Sequence, residues 1–520
     1  MKRFNTAGTC FPDIHYMVDI TDRLNYIKGI IDRGDYFCIN RGRQYGKTTT
    51  LNSIRRKFEN EYTIFFVSFE GQSDQVFDTL EKVFAMFLAK IHYLVRFGTV
   101  NGLSEEVGNI ISEYARKYSG GLSEDIFCEL TQLICSKNPK PIVVIIDEVD
   151  QAGNHESFIK FLGALRNQYL HRDMFPTFQS VILAGVYDIK NLKLRVRKDN
   201  EHQYNSPWNI AVPFNYDMSL HIEGIAGMLA DYKNEHNISF DEKYIAQMLY
   251  EYTSGYPFLV SRLCQIIDEK HYLWEKEGVL QAVNDLLKEP NTLFDDMVKK
   301  LNDYPDLVQM LKRILYSGQR IPYNYYEKSI NIATMFSYVK EVDGALAIHC
   351  RLFETWLYNY FLSEERNTDI FREGEIDKNQ FVHDGYIDMR LLLERFIVHM
   401  NEIYRPDVDD KFLEENGRKI FLTYIRPIIN GVGHYYCEAR TRDMTRTDVV
   451  IDYLGQQYVI ELKIWRGDSY NERGEKQLSD YLDFYDLNTG YLVSFCFNKN
   501  KQPSLKEVIV GNKKIYEAVV

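Results

Sequence analysis

The chain has 520 residues, 45% of them apolar and 14% aromatic, which excludes extensive disorder and is too long for one ordinary core. Its formal charge of −12 argues against a general duplex binder, whose affinity comes from phosphate neutralisation, so any nucleic-acid footprint must be local. The start Met1-Lys2-Arg3-Phe4-Asn5 lacks the apolar run of a leader, and no stretch approaches the roughly 20 apolar residues of a membrane span, so a cytoplasmic protein with no membrane partner is expected. Eight scattered cysteines without a C-x-x-C pair are read as reduced packing residues.

The first informative segment is Asp35-Tyr36-Phe37-Cys38-Ile39-Asn40, a short buried strand that runs into Arg41-Gly42-Arg43-Gln44-Tyr45-Gly46-Lys47-Thr48 and then a helical start at Thr49. A strand, a tight loop and a helix N-terminus make a phosphate cradle, because loop N–H groups and the helix dipole both favour an anion. Lys47 would reach the β- and γ-phosphates of ATP, and the Thr48 hydroxyl would ligate Mg²⁺. Next, Pro141-Ile142-Val143-Val144-Ile145-Ile146-Asp147-Glu148-Val149-Asp150 reads as a strand buried on both faces of a parallel sheet and tipped with acids. Asp147 would hold the metal and Glu148 would orient the attacking water. Phe178-Gln179-Ser180-Val181-Ile182-Leu183-Ala184-Gly185-Val186 reads as the following core strand.

The loop Arg41-Gly42-Arg43-Gln44-Tyr45-Gly46-Lys47-Thr48, with Arg41 where the first glycine usually stands, resembles the phosphate loop of prokaryotic AAA-type ATPases of the STAND and AAA-ATPase-like families. The resemblance spans about residues 10–275. It implies a P-loop fold in which residues 41–49 contact ATP, and a helical lid whose Gly255-Tyr256-Pro257 brings Pro257 toward the nucleotide. Rings or filaments are common in this class, so a homo-oligomer is an expected outcome. Arg195, Arg197 and Arg262 are candidates for sensor or finger arginines, against the plainer reading of solvated basic residues.

Farther on, the amphipathic run 306–316, a second helix over 331–339, the turn Val342-Asp343-Gly344 and the strand 345–350 look like a winged helix. With Asp303, Asp306 and Glu327 nearby, packing is favoured there over DNA binding. The polar stretch 363–369 marks a boundary. The expected layout is an ATPase core over 1–215, a lid over 216–275, a winged-helix module over 276–365, a linker over 366–385 and a last domain over 386–520.

In that last domain, strands 447–453 and 458–464 form a pair joined by Leu454-Gly455-Gln456-Gln457. Alternation puts Glu461 and Lys463 on one face, opposite Ile460, Leu462 and Ile464, and lets Asp448 meet Glu461 across the pair. Two carboxylates and the Leu462 carbonyl make a hard oxygen set suited to Mg²⁺, with Lys463 free to hold a water or phosphate. The helix 475–485 puts Gln477 and Tyr481 on one face. Together, Asp, Glu-x-Lys and Gln-x-x-x-Tyr resemble the PD-(D/E)XK nuclease superfamily over about residues 386–520, with Thr447 in place of the Pro that often precedes the first Asp. The resemblance implies that Asp448 and Glu461 bind Mg²⁺ or Mn²⁺, that Lys463 is the catalytic lysine, that Gln477 and Tyr481 line the site, and that Glu414 or Glu415 adds an acid. Arg440, Arg442 and Arg446 would place positive charge beside it, and Arg390, Arg395 and Arg405 form a weaker basic set.

The expected fold class is therefore α/β and multidomain: a P-loop NTPase with a helical lid, a winged helix and a C-terminal α/β nuclease domain. The expected function is an ATP-binding and hydrolysing protein that cuts DNA phosphodiesters, RNA not being excluded, in the setting of mobile elements or anti-phage defence. The alternative is a nucleotide-dependent signalling or scaffold ATPase whose nuclease fold serves binding only.

Overall fold

The computed structural model describes the chain apart from residues 151, 187–207, 317–320, 364–368, 404–413, 430–432, 438–447, 466–467, 486 and 497–501. It divides into two compact units, Met1–Leu220 and His221–Val520. No described helix is long and apolar enough to cross a membrane.

The first unit runs α1 (Thr21–Asp32), β1 (Phe37–Asn40), α2 (Lys47–Phe58), β2 (Thr63–Ser68), α3 (Leu80–Arg96), α4 (Glu105–Lys117), α5 (Glu124–Lys137), β3 (Ile142–Asp147), α6 (Glu156–Leu170) and β4 (Ser180–Gly185). The strands form one parallel sheet in the order β1-β4-β3-β2. Every residue of β3 and β4 is buried, as expected for parallel strands covered on both faces, and this is why residues 142–146 and 181–184 are unbroken apolar runs. A phenylalanine cluster of Phe69, Phe84, Phe87, Phe127, Phe158 and Phe161 packs helices onto one face, with Phe84 and Phe127 stacked at 4.3 Å. Side-chain caps set the helix starts: Thr79 accepts the Lys82 amide before α3, and Ser104 accepts the Val107 amide before α4.

The second unit begins with α7 (Ile222–His236), α8 (Glu242–Thr253), α9 (Pro257–Glu269), α10 (Lys276–Lys288), α11 (Thr292–Asp303), α12 (Pro305–Tyr316) and α13 (Lys328–Met335). The hairpin β5 (Val339–Val342) and β6 (Ala345–Ile348) follows, with Asp343 and Gly344 both left-handed at its turn, φ 50° and 76°. Then come α14 (Arg351–Leu362), α15 (Asp369–Phe381), the short hairpin β7 (Val382–His383) and β8 (Tyr386–Ile387), α16 (Met389–Ile403) and α17 (Glu414–Ile429). The chain ends with β9 (Gly433–Cys437), β10 (Asp448–Tyr453), β11 (Gln456–Ile464), α18 (Asp468–Phe484), β12 (Thr489–Phe495), β13 (Ser504–Val510) and β14 (Lys513–Val519).

Residues 369–381 of the expected linker are a helix, because Ile370, Phe371 and Asp377 are buried and Asp377 accepts hydrogen bonds from Tyr424 (2.9 Å) and pairs with His399 (2.7 Å). A segment with such buried partners is part of a core.

The final sheet has the order β13-β14-β12-β11-β10-β9. Its register aligns Lys506, Glu517, Leu492, Glu461 and Asp448 in one row across five strands, so all five residues share a face. Leu478 and Leu482 of α18 pack on that face against Val450, Val459, Leu492 and Ile515. On the opposite face, Phe396 of α16 and Gly417 of α17 lie against the Phe495 ring. The β10–β11 turn is tighter than the four residues expected: Leu454 and Gly455 close it with φ 49° and 83°.

Candidate functional sites

At the end of β1, the loop to α2 turns through two left-handed residues, Gln44 (φ 56°) and Gly46 (φ 77°). Gly46 is the N-cap of α2, and its carbonyl accepts the amide and hydroxyl of Thr50, each at 2.9 Å. Lys47 lies 7% exposed and donates to the Arg41 and Gly42 carbonyls at 3.0 and 2.9 Å, which folds its ammonium back over the loop. Phosphate oxygens carry charge and are stronger acceptors than these carbonyls. Arg43 is exposed, Gln44 and Thr49 are half-buried, and Gly42 and Tyr45 are buried. Arg41 spends its guanidinium inside the unit, on the Asn40 and Tyr216 carbonyls at 2.8 Å each, so its visible role is to tie the loop down. The Thr49 hydroxyl accepts the Cys10 amide at 3.2 Å.

The acids come from β3. The Thr48 hydroxyl donates to Asp147 Oδ2 at 2.9 Å, and the Glu148 amide donates to Asp147 Oδ1 at 3.0 Å. Burial pushes the Asp147 carboxyl above its usual range, although the bonds from Thr48 and the Glu148 amide pull it down. Burial also raises Glu148, with Asp147 adding repulsion. The Lys47 ammonium is lowered by burial, against the opposing pull of Asp150, Glu148 and Asp147. Glu148 itself sits at φ 56°, a conformation that costs a non-glycine residue about 1 kcal/mol or more and that tends to persist where function requires it. A hydroxyl and a carboxylate in contact, beside acids raised by burial, are hard oxygen donors that suit Mg²⁺.

Sequence reasoning missed two supports of this site. Arg23 of α1, 6% exposed, donates to the Thr50 hydroxyl and the Met218 carbonyl, and nothing local in its sequence marks it. Asp150 accepts the Val186 amide at 2.6 Å, and its place three residues after Asp147 was the available signal.

In the second unit, Pro257 occupies the first turn of α9 after the left-handed pair Ser254 and Gly255. Arg262 binds Glu289 through its Nη2 (2.7 Å) and Nε (3.1 Å) and also bridges to Glu269, so its charge is spent in a local network. Arg195 and Arg197 lie outside the described residues, as do Arg405, Arg440, Arg442 and Arg446. Arg390 pairs with Glu394 at 3.2 Å on its own helix.

The C-terminal sheet brings Asp448 opposite Glu461 in register, with Lys463 two residues along the same face. Glu461 is fully buried and Lys463 is 6% exposed, and they form an ion pair at 2.9 Å. Gly474 on α18 lets that ammonium lie under the helix, since a Cβ there would stand 2.9 Å from Lys463 Nζ. Leu462 points to the other face and is buried. Gln477 and Tyr481 are on α18, Tyr481 half-buried, and Glu414 and Glu415 begin α17. The side chains of Asp448, Gln477, Glu414 and Glu415 lie outside what is described. Among the described residues, no group of three His, Cys, Asp or Glu side chains could hold a metal ion. The sequence did not point to a second acidic pair on this face: Glu475 of α18, raised by burial and by its neighbour Glu517, which in turn binds Lys506 at 2.6 Å.

A parallel sheet, a glycine-capped phosphate loop after β1 and the acid-tipped strand β3, one strand removed from β1, define a P-loop ATPase. The chain belongs to the AAA-like domain family, whose pattern matches residues 16–359. No curated protein matches it. Among solved structures it is similar to the Walker-type ATPase of Pyrococcus abyssi, with 12% identity over 68% of this chain and 99% of that one and a TM-score of 0.48. It is also similar to the Aeropyrum pernix ORC1 protein in complex with DNA (14%, 67% and 94%, TM-score 0.30). The Aeropyrum pernix ORC2 protein in its ADPNP–ADP complexes is a third (12%, 66% and 93%, TM-score 0.38). No residue role passes from these structures to this chain.

Proposed function

We propose that the chain is an ATP-hydrolysing switch. The observation that carries this reading is the Thr48–Asp147 contact of 2.9 Å beside buried Lys47 at the rim of the parallel sheet. Lys47 and the amides of residues 41–49 would bind the phosphates, with Arg43 also toward the nucleotide. Thr48 and Asp147 would hold Mg²⁺, and Glu148 would orient the water. Mg²⁺, when bound, neutralises phosphate charge.

The finer reading is that the C-terminal sheet hydrolyses DNA phosphodiesters, with Asp448, Glu461 and the Leu462 carbonyl as ligands for Mg²⁺ or Mn²⁺, Lys463 as the catalytic lysine, and Gln477 and Tyr481 lining the site. It is supported by the register of Asp448 with Glu461 and by Lys463 on the same face. The described donors do not form a metal site as they stand, because the Glu461 carboxylate is enclosed and tied to Lys463. The same enclosure favours a second reading, in which this sheet binds a partner and the ATPase acts as a signalling or scaffold switch in the cytoplasm. A defence or mobile-element setting suits either.

The test is plasmid and linear DNA incubated with Mg²⁺ or Mn²⁺, with and without ATP, using wild type, Lys463→Ala and Lys47→Ala. Cleavage that Lys463→Ala abolishes supports the nuclease reading. No cleavage under any condition leaves the scaffold reading. Cleavage indifferent to Lys47→Ala removes the switch. ATP turnover that survives Lys47→Ala overturns the ATPase site.

A further inference from the structure

The turn that carries Glu148 is fastened to the neighbouring strand by a side chain with no assigned role. The Val186 amide donates to Asp150 Oδ2 at 2.6 Å, while the Val149 amide donates to the Ala184 carbonyl at 3.2 Å. The amides of Ala152 and Gly153 close the same turn on the carbonyls of Val149 and Asp150. Gly185 makes room for this: a Cβ there would lie 2.8 Å from Asp150 Oδ1 and 3.0 Å from Val149 Cγ2. Its φ is not left-handed, so close approach is the reason for glycine. On its other side, the Gly185 carbonyl accepts the Arg41 amide at 3.3 Å, so one residue of β4 touches both the phosphate loop and the acidic turn.

Building on the ATPase reading above, we propose that Asp150 is a positioning residue for nucleotide hydrolysis, pinning the turn to the end of β4 so that Glu148 keeps its left-handed backbone and its carboxylate stays aimed at the site. Left to itself, a glutamate at φ 56° relaxes toward the right-handed region, which swings the side chain away. A carboxylate accepting a backbone amide is a charge-assisted bond, stronger than a neutral one, and suits the task of resisting that relaxation. Asp150 also opposes the effect of burial on Lys47, and it is the largest of the acidic contributions there.

The experiment measures ATP turnover and, separately, binding of a non-hydrolysable ATP analogue, in wild type, Glu148→Gln, Asp150→Ala, Asp150→Asn and Gly185→Ala. Asp150→Ala is expected to lower kcat about tenfold to a hundredfold, the scale of a small misplacement of a reacting group, while analogue affinity stays within about threefold. Asp150→Asn should recover most of the loss, because its amide oxygen still accepts the Val186 amide. Gly185→Ala, whose methyl displaces the carboxylate while Asp150 remains, should reproduce the Asp150→Ala defect and decides the matter if Asp150→Ala does not fold. Wild-type kcat in Asp150→Ala or Gly185→Ala overturns the proposal, as does Asp150→Asn being as slow as Asp150→Ala, or analogue binding falling in step with turnover. If wild type turns over ATP and Glu148→Gln does not, those outcomes sink this proposal alone; a wild type without turnover sinks the ATPase reading together with it.

Discussion

Two lysines in this molecule are buried to nearly the same degree, Lys47 at 7% exposure and Lys463 at 6%, yet they are held in opposite ways. Lys47 stands at the open edge of a parallel sheet and bonds neutral carbonyls, with half-buried Thr48 and Glu148 beside it. Lys463 lies on the face of a sheet beneath α18 and is paired directly with fully buried Glu461. A cation held by carbonyls can exchange them for a phosphate at small cost. One locked to a buried carboxylate has to give up a direct buried ion pair when it moves. The difference separates a site arranged to receive an anion from one that has to open first.

Breaking the closed pair should have the largest effect. Lys463→Met removes the ammonium paired with the fully buried Glu461 carboxylate and should cost about 3–5 kcal/mol of stability, with Glu461→Leu added to it restoring much of the loss. Equal destabilisation by Lys47→Met, in denaturant melts, would erase the contrast. Second in size, Glu148→Gln should slow ATP turnover by about a hundredfold or more while analogue binding persists; unchanged turnover would remove its role. A smaller effect is expected at Tyr252, whose hydroxyl donates to buried Asp452 at 2.7 Å and so ties α8 to β10. Tyr252→Phe should cost about 1–3 kcal/mol by removing this hydrogen bond to a buried carboxylate, and an unchanged melt would show the bond to be dispensable.

The smallest effect is identified by its sign. Burial raises the folded-state pKa of Asp147, Glu148 and Glu475. The folded protein then holds more protons than the unfolded chain above about pH 4, so stability falls as pH rises through the window from the unfolded values to the raised folded ones. Glu148→Gln removes its share of that fall. It should therefore melt above wild type at pH 7, with the gain vanishing below about pH 4. A gain that instead grows toward low pH would contradict the direction assigned to Glu148. Glu475→Gln should behave alike in the second unit.

Much of both sites was legible because their parts are close in sequence. The phosphate loop is a contiguous strand, loop and helix start, and β10 and β11 are a hairpin, so alternation alone predicted that Glu461 and Lys463 share a face. The helix carrying Gln477 and Tyr481 was expected over 475–485 and runs from Asp468 to Phe484, since its first turns are charged and carry no apolar periodicity. The helix over 369–381 falls in the segment expected as linker after the polar stretch 363–369, its burial depending on His399 and Tyr424 from other helices.

Residue order by itself determined the elements and their chemistry: which strand ends in acids, where glycine permits the loop, and which side chains alternate. Only the tertiary structure decided which face each sheet covers and with what. The Asp150–Val186 bond spans 36 residues and the Tyr252–Asp452 bond 200, and α18 encloses Glu461. Partners belong to the packed neighbours, which local periodicity does not specify, and it is the partner, backbone carbonyl or buried carboxylate, that makes one buried lysine ready to receive a phosphate and leaves the other locked in a pair.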